Sequence, residues 1–482
     1  MIPVLIKEDA YKLDKETIVS GHLSQEKLMD NAGKAIAQFF CEKIKDPFNK
    51  KVVVVCGKGN NGGDGVIAHS YLAKYNISSK IVFTEEKHYH SNKIKKYKIS
   101  KNEYSIYNDK TNFNKYDWII DAIFGIGFSR ELNEKDQKLI TELNYLNNII
   151  SIDIPSGFYA DSDKSKCFIH SKYVITFGYP KLGHYLLSLN KLHISDIGFK
   201  QVCSDIKKIE NVDILKIVKP FKKNKNIHKY SKARCYIVAG SDDYPGAAIL
   251  SAMAAAKTGS SYVNLLIDSK DNSLISKIDI SLPDIIVKKT VSTLDFVEII
   301  KRNIPVLIGP GNLERYHFKN IDLVKDNSLI IDAGAIPKGI NLEDYSDNTI
   351  FTPHLQEFKR MFNLEDNFII DYSLFESIQK KIERKIIILK SFNIFIMTND
   401  KIYIMDRGPS LLATAGTGDV LSGILVSLLS QGYSRLEASI FGTYLHAEAA
   451  NYYMNNISKD GMTASDLIDC IPYAFNKLRK ND

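Results

Sequence analysis

Three short stretches in the first third of this 482-residue chain carry an apolar run into an acid and then turn on glycines. Val52 to Cys56 leads into Gly57-Lys58-Gly59-Asn60-Asn61-Gly62-Gly63-Asp64-Gly65. Tyr116 to Ile120 leads into Asp121 and then Ala122 to Phe128. Ile149 to Ile152 leads into Asp153, Ile154, Pro155, Ser156 and Gly157. A short continuous apolar run reads as a strand buried on both faces, as in a parallel sheet. Ligands of open α/β sheets bind beyond the carboxyl ends of the strands. A single such Asp is more often a turn or cap residue; three of them in one domain predict that Asn61, Asp121, Asp153 and Ser156 converge on a ligand. The first loop also matches the dinucleotide pattern GxGxxG at Gly57, Gly59 and Gly62, with Glu85 and Glu86 at the distance of a ribose-binding carboxylate. Against that simpler reading, Asn60, Asn61 and Asp64 place polar side chains where a dinucleotide turn keeps only backbone near the pyrophosphate.

A second kind of chemistry lies at 411–432, LLATAGTGDVLSGILVSLLSQG. Ala415-Gly416-Thr417-Gly418 turns tightly because its glycines tolerate unusual backbone angles. Asp419 then opens a helix whose apolar face is Val420, Leu421, Ile424, Leu425, Leu428 and Leu429, and Gly432 stops it. The free N–H groups and positive dipole end at Gly416 to Gly418 suit a phosphate. The Asp419 carboxylate is placed to take a proton from a hydroxyl beside it. The plainer alternative is a Gly-rich loop capped by Asp. No GxxxxGK[ST] motif is present, so a P-loop phosphotransferase is not the right comparison.

These residues need strands and helices to hold them. Ser24 to Phe40 reads as a helix with Leu28, Ala32, Ala35, Ile36 and Phe39 as its stripe. Later the strand–glycine rhythm restarts with Arg234 to Ala239, the loop Gly240 to Gly246 and an alanine-rich helix Ala247 to Lys257. Further strands end at Gly309-Pro310-Gly311, Asp332-Ala333-Gly334 and Thr352-Pro353-His354, and Ile386 to Leu389 ends in Lys390. Strands alternating with helices predict α/β architecture with mostly parallel sheets. At about 100–200 residues per domain, the length predicts two to three domains. Residues 200–230 turn basic and polar, which places a linker near 205–225 and domains at 1–210 and 220–482.

Composition narrows the classes. The net charge of +8 is modest, and lysine runs such as Lys93 to Lys101 lack an aromatic platform, so they read as solvated surface rather than a nucleic-acid site. No apolar run reaches membrane-spanning length, and the start meets charges too early for a secretory signal. Six cysteines without CxxC spacing argue against a zinc site or a disulfide framework. A cytoplasmic location without nucleic-acid or membrane partners is expected.

Together GKGNNGGDG, DAIFGIG, DIPSG and TFGYPKLG resemble the NAD(P)H-hydrate epimerase family over roughly residues 10–200. The resemblance implies a Rossmann-like three-layer domain. Asn60, Asn61, Gly62, Gly63, Asp64, the run Gly125, Ile126, Gly127, Phe128, Ser129, Arg130, Glu131, and Asp153 would hold a hydrated nicotinamide nucleotide. Asn61, Asp121 and Ser156 would coordinate a potassium ion, and oxygen ligands do suit a hard cation. Asp153 is the candidate acid/base at C6 of the hydrated ring.

From about residue 225 to 475, AGSDDYPGAA, IGPG, DAGA, TPH, ILK, ATAGTGDVLSG and MTASDL resemble the NAD(P)H-hydrate dehydratase branch of the ribokinase-like superfamily. That implies a ribokinase-like α/β domain in which Ala247 or Ala248, Gly309 or Gly311, His354 and Asp419 face the hydrate. Lys390, Ser391, Phe392, Asn393, Gly416, Thr417 and Gly418 would face the adenine nucleotide, ADP by preference over ATP, with magnesium. The chain departs from the family pattern at Leu355-Gln356, where Pro-Gly is usual, and at Ser391, where Gly is usual. Asp419 would deprotonate the C6 hydroxyl for attack on the terminal phosphoryl group, and phosphate would then leave. The implied protein is a two-activity metabolite-repair enzyme acting on hydrated NADH and NADPH, expected as a homo-oligomer. The rivals are a ribokinase-type vitamin kinase and an N-terminal half that serves only as a binding module.

Overall fold

The computed structural model describes residues 1–482 except 86–89, 188–190, 219–232, 269–271, 291–299, 301–302, 312–325 and 480–482. Glu86 and residues 219–225 of the expected linker therefore lie outside the described residues. The chain forms two compact units. One comprises Pro3–Ile206 with Ile369–Leu374; the other comprises Met1–Ile2, Lys207–Phe368 and Phe375–Asp482. Among the described residues no helix is long and apolar enough to cross a membrane.

The first unit is built on seven parallel strands: β1 (Lys51–Cys56), β2 (Ser78–Phe83), β3 (Tyr104–Ile106), β4 (Trp118–Ala122), β5 (Ile149–Ile152), β6 (Tyr173–Phe177) and β7 (Leu192–Ser195). Their order in the sheet is β3-β2-β1-β4-β5-β6-β7, the Rossmann order, whose direction reverses between β1 and β4. Val52 to Cys56 are fully buried because β1 is covered on both faces. Cys56 pairs with Ala122, and Asp121 pairs with Ser151. That register brings the three acid-and-glycine loops to one edge of the sheet, at the switch point.

Helix α1 spans Lys7–Val19, α2 spans Gln25–Lys43 and α3 spans Asn60–Lys74. Ser24 caps α2 by accepting from the Lys27 N–H. The sequence reads as a polar loop up to Gly65, but α3 already begins at Asn60. The glycines serve close packing rather than looseness. A Cβ at Gly62 would stand 1.9 Å from the Gly57 carbonyl oxygen, and one at Gly65 would stand 2.6 Å from Ala122. Helix α4 spans Glu134–Asn144.

The second unit holds β8 (Arg234–Val238), β9 (Tyr262–Asp268), β10 (Ile286–Thr290), β11 (Val306–Ile308), β12 (Leu329–Ile331), β13 (Thr349–Phe351), β14 (Ile386–Lys390), β15 (Ile394–Met397) and β16 (Ile402–Met405). These nine run in the order β16-β15-β14-β13-β12-β11-β8-β9-β10. From β10 to β14 neighbouring strands are parallel; β14, β15 and β16 form an antiparallel meander. Helices α5 (Pro245–Thr258), α6 (Leu355–Phe362), α7 (Thr417–Ser430), α8 (Arg435–Asn456) and α9 (Ala464–Arg479) complete the elements used below. Helix α7 lies so close to α5 that a Cβ at Gly423 would stand 2.3 Å from the Ser251 carbonyl oxygen. Only glycine permits that approach.

Candidate active sites

In the first unit a cavity of about 840 Å³ opens beyond the carboxyl ends of β1, β4 and β5. Its wall includes Asn60, Asn61, Asp64, Gly125 to Arg130, Asp153 and Lys181, with Tyr11 and Asp14 contributed by α1. Gly62, Gly63 and Glu131 do not line it. The two glycines are buried in the packing of α3, and Glu131 is exposed. Glu85 pairs with Lys58 at 3.7 Å.

Beneath the cavity floor, Asp121 is fully buried and accepts from the Ser151 hydroxyl (2.7 Å), the Ser156 hydroxyl (2.5 Å), the Ser156 N–H (2.9 Å) and the Ile123 N–H (3.2 Å). Burial pushes its carboxyl pKa up, against the pull of these donors. Asn61 donates its amide to the Phe124 carbonyl at 2.9 Å, and the Phe124 N–H donates to the Ser156 hydroxyl at 2.8 Å. Asn61, Asp121 and Ser156 are thus gathered around one turn of backbone. The oxygens on offer are neutral apart from one carboxylate. Such a set fits a monovalent hard cation better than a divalent one, which draws more anionic ligands.

Asp153 stands at the end of β5 with φ +64°, a strained angle for a residue with a Cβ. Its Oδ1 accepts from Lys181 Nζ at 2.6 Å and from the Thr176 hydroxyl at 3.0 Å; its Oδ2 accepts from the Ile126 N–H at 3.1 Å. Burial alone would raise its pKa, but Lys181, with His184 and the Thr176 hydroxyl, outweighs burial and holds it below the usual carboxylate range. His184 accepts the Lys181 N–H at Nδ1 (3.0 Å), so its Nε2–H donates to the Asp153 carbonyl (2.7 Å). Burial lowers the His184 pKa to about 4, which keeps the ring neutral. Lys181, Thr176 and His184 were not singled out from the sequence, although TFGYPKLG contains the first two.

In the second unit Gly416, with φ +88°, turns the chain into α7. The Thr417 hydroxyl donates back to Leu412 and Thr414 at 2.8 Å, and His446 Nε2 meets the Thr417 carbonyl at 2.8 Å. Asp419 sits in the first turn, and the Ser251 hydroxyl donates to its backbone carbonyl at 3.2 Å. Burial, aided by Asp332, pushes the Asp419 pKa up to about 7. Asp332 is buried after β12 and accepts from Lys390 Nζ at 2.9 Å and from the Ser422 hydroxyl at 2.6 Å. Burial opposes the Lys390 charge, yet Asp332, Glu357 and Asp419 together outweigh it and raise the Lys390 pKa. Lys390 Nζ also lies 3.4 Å from the position a Cβ at Gly418 would take. A lysine, a helix N-terminus and a carboxyl poised near neutrality therefore share one spot.

Other expected residues take varied places. A Cβ at Gly309 (φ +121°) would collide with the Asp332 carbonyl at 1.8 Å, and one at Gly311 (φ +85°) would meet Gly240 at 2.8 Å. Ala248 is fully buried in the core beneath Gly240, which leaves Ala247 as the half-exposed member of that pair. His354 is exposed and caps α6, accepting from Gln356 and Glu357 N–H groups at 3.1 and 3.3 Å. Its Nε2 is 3.3 Å from Glu357. Ser391 and Asn393 are half-buried, while Phe392 is exposed. Asp332 and Ser422 were not picked out as site residues, although DAGA and GDVLSG contain them. Among the described residues no cluster of three or more His, Cys, Asp or Glu could hold a metal ion.

Comparison with known proteins agrees with this two-part layout. The family model described as NAD(P)H-hydrate dehydratase matches residues 235–473, and the one described as YjeF-related protein N-terminus matches 25–183. A bifunctional NAD(P)H-hydrate repair enzyme from Dictyoglomus turgidum is 31% identical over 94% of this chain and 94% of its own length. The enzyme of the same description from Thermofilum pendens is 25% identical over 97% and 95%. Among solved structures, an ADP/ATP-dependent NAD(P)H-hydrate dehydratase from Bacillus subtilis, co-crystallised with ATP and magnesium, is 23% identical with a TM-score of 0.49. It covers 57% of this chain and all of its own.

Proposed function

The chain belongs to the bifunctional NAD(P)H-hydrate repair enzymes and carries both an epimerase and a dehydratase; from that premise we propose which of its residues perform each reaction. The epimerase is assigned to residues 1–210 and the ribokinase-like dehydratase to 220–482. The substrates are the R and S forms of NADH and NADPH hydrated at C6, and the dehydratase consumes ADP or ATP.

In the epimerase, the hydrated nicotinamide nucleotide occupies the cavity between α1 and the turn Gly125–Arg130, with its reacting ring at Asp153. The Asp153–Lys181 pair carries this reading: an ionised carboxylate, held by Lys181, Thr176 and the Ile126 N–H, faces an apolar chamber of nucleotide size. Asn61, Asp121 and Ser156 are the residues that would hold potassium, whose charge would compensate the buried Asp121 carboxylate and stiffen the turn at Phe124.

In the dehydratase, Asp419 is the general base. A carboxyl with pKa about 7 is ionised in part at neutral pH and still basic enough to take a hydroxyl proton. It removes the proton of the C6 hydroxyl as that oxygen attacks the terminal phosphoryl group of the nucleotide. The N–H groups of Gly416 and Gly418 and the Lys390 ammonium receive the negative charge on the transferring group, the Thr417 N–H being engaged by the Thr414 carbonyl at 3.3 Å. Lys390 to Asn393 lie along the nucleotide, and Ala247, Gly309, Gly311 and His354 border the hydrate. Magnesium would be carried mainly by the nucleotide phosphates, where it would shield their charge. Phosphate then departs from C6 as the ring nitrogen lone pair forms C6=N1, and loss of a proton from C5 to solvent moves that pair into C5=C6, returns the lone pair to nitrogen and restores the reduced nicotinamide.

The test uses purified protein, a mixture of both NADH-hydrate epimers, ADP or ATP, and magnesium, following the return of reduced-nicotinamide absorbance. Conversion of both epimers with one phosphate released per ring restored supports the assignment. Conversion of the S form alone leaves only the dehydratase. No recovery with either nucleotide would contradict both and favour a kinase.

A further inference from the structure

The carboxyl groups of the epimerase cavity do not share its cations equally. Asp153, Asp64 and Asp14 line it together with Lys15, Lys58, Arg130 and Lys181; Lys181 is committed to Asp153 at 2.6 Å, Lys58 pairs with Glu85 and Arg130 with Asp136. Every hydrogen bond to Asp153 comes from a donor: Lys181, Thr176 and the Ile126 N–H. That is the surrounding of a carboxylate. Asp64 differs. It projects from the first turn of α3 into the same cavity, and its Oδ1 is buried with no hydrogen-bond partner. A buried carboxylate oxygen left without a donor is costly, whereas a neutral carboxyl escapes most of that cost and keeps a proton to give. A neighbouring carboxylate such as Asp153 further disfavours ionisation of Asp64.

We propose that Asp64 is the catalytic acid of the epimerase and Asp153 its catalytic base, the two acting on opposite faces of C6. The proposal rests on the epimerase reading above and goes beyond it by dividing the proton traffic between two residues.

Asp64 gives its proton to the C6 hydroxyl oxygen. The C6–O bond breaks, its electron pair leaves with water, and the N1 lone pair forms the C6=N1 bond. Water then adds to the other face: a new C6–O bond forms, the C6=N1 pair returns to N1, and the proton of the added water passes to Asp153. The product is the opposite epimer, with Asp64 ionised and Asp153 protonated. That state is ready to process the reverse direction; proton exchange through cavity water resets it. The unequal basicity suits the two steps. Expelling hydroxide needs a real acid, while water adding to an iminium carbon needs only a weak base.

The groups facing Asp64 fit this role. Burial raises its pKa well above the ordinary carboxyl value, Asp153 and Asp14 push it the same way, and Lys93 opposes them. Cys56 on β1 is a neutral thiol, its own pKa raised by burial. Asp14 is also raised by burial, but Lys181 pulls it down.

The experiment uses the full chain. Asp64→Asn should slow R-to-S conversion about 100-fold or more, leave dehydration of the S epimer intact and leave NADP+ binding to the epimerase cavity intact. Asp64→Glu should recover part of the rate. Wild-type epimerisation kcat/KM should fall as pH rises through the Asp64 pKa, and this limb should vanish in Asp64→Asn. An activity-independent reading is the infrared band of a protonated carboxyl at neutral pH, expected in the wild type and in Asp14→Asn but lost in Asp64→Asn. Epimerisation by Asp64→Asn within about threefold of wild type, or a band that survives Asp64→Asn and disappears in Asp14→Asn, would overturn the proposal. A wild-type chain that never interconverts the epimers would overturn the epimerase reading itself.

Discussion

Asp419→Asn tests whether the burial that tunes this carboxyl also costs the fold stability. Its pKa is raised from 3.8 to about 7, with burial as the main cause. A gap of that size corresponds to at most about 4 kcal/mol favouring the neutral form, and roughly half of that once solvent screening of this half-buried group is counted. The sign follows from linkage. The folded unit holds the proton more tightly than the unfolded chain, so the stability this proton contributes is fully present below about pH 4 and is lost as pH rises to about 7, beyond which the loss is constant. Asparagine is a neutral isostere and escapes that loss. Relative to wild type, the variant should gain little near pH 4 and about 2–4 kcal/mol above pH 7. In a unit of this size each kcal/mol moves Tm by about 2–4 °C, so calorimetry near pH 8 should show the second unit melting roughly 5–10 °C higher. Dehydratase turnover should fall about 10²–10⁴-fold, while epimerisation persists. An equal Tm shift at both pH values, or a drop near pH 8, would refute the reasoning, because Asp419 would then ionise without penalty.

Other perturbations separate packing from chemistry. Lys181→Met leaves Asp153 buried without its cation; breaking such a pair costs about 3–5 kcal/mol, so the first unit should melt lower and the Asp153 pKa, followed by carboxyl NMR, should rise. Gly423→Ala puts a Cβ 2.3 Å from the Ser251 carbonyl oxygen; overpacking of that kind costs about 1–3 kcal/mol, and because α7 carries Asp419, dehydratase kcat should fall with Tm. Replacing potassium by lithium should slow epimerisation but not dehydration, and Asp121→Asn should abolish the response to the cation.

The strands and their order of appearance were legible because buried parallel strands announce themselves as apolar runs ended by glycine. Val52 to Cys56, Ile149 to Ile152 and Ile386 to Leu389 are of that kind. Asn61, Asp121 and Ser156 could be grouped because each follows such a run, and the parallel register then aligns the strand ends. The start of α3 was less legible: glycines at 62, 63 and 65 look like loop, and only the closeness of Gly57 and Ala122 shows that they permit a helix to sit down. Lys181 was hidden for another reason. It is a lysine in a chain rich in lysines, and only the fold shows that it is buried against Asp153. Asp332 and Ser422 were hidden likewise, 90 residues apart until the hydrogen bond joins them. Partnership over long sequence distance leaves no periodic trace.

The two units set their carboxyls differently, and the difference suits the reactions proposed for them. Asp153 is given a lysine on the same oxygen and three donors in all, which fixes it as an anion. Asp419 is given burial and an acidic neighbour, Asp332, and that neighbour takes Lys390 for itself at 2.9 Å. Were Lys390 paired with Asp419 directly, the base would be too weak to remove a hydroxyl proton. Were Asp332 absent, that pairing would be the favoured one, since Lys390 already acts on Asp419 across the site. Asp332 thus acts on the chemistry through both of its oxygens. One holds the lysine away from the base and towards Gly418; the other is fixed by Ser422 on α7, the helix that positions Asp419. On the proposed assignment, a basic carboxylate and a cation for the phosphate coexist in one small site because a second acid keeps them apart.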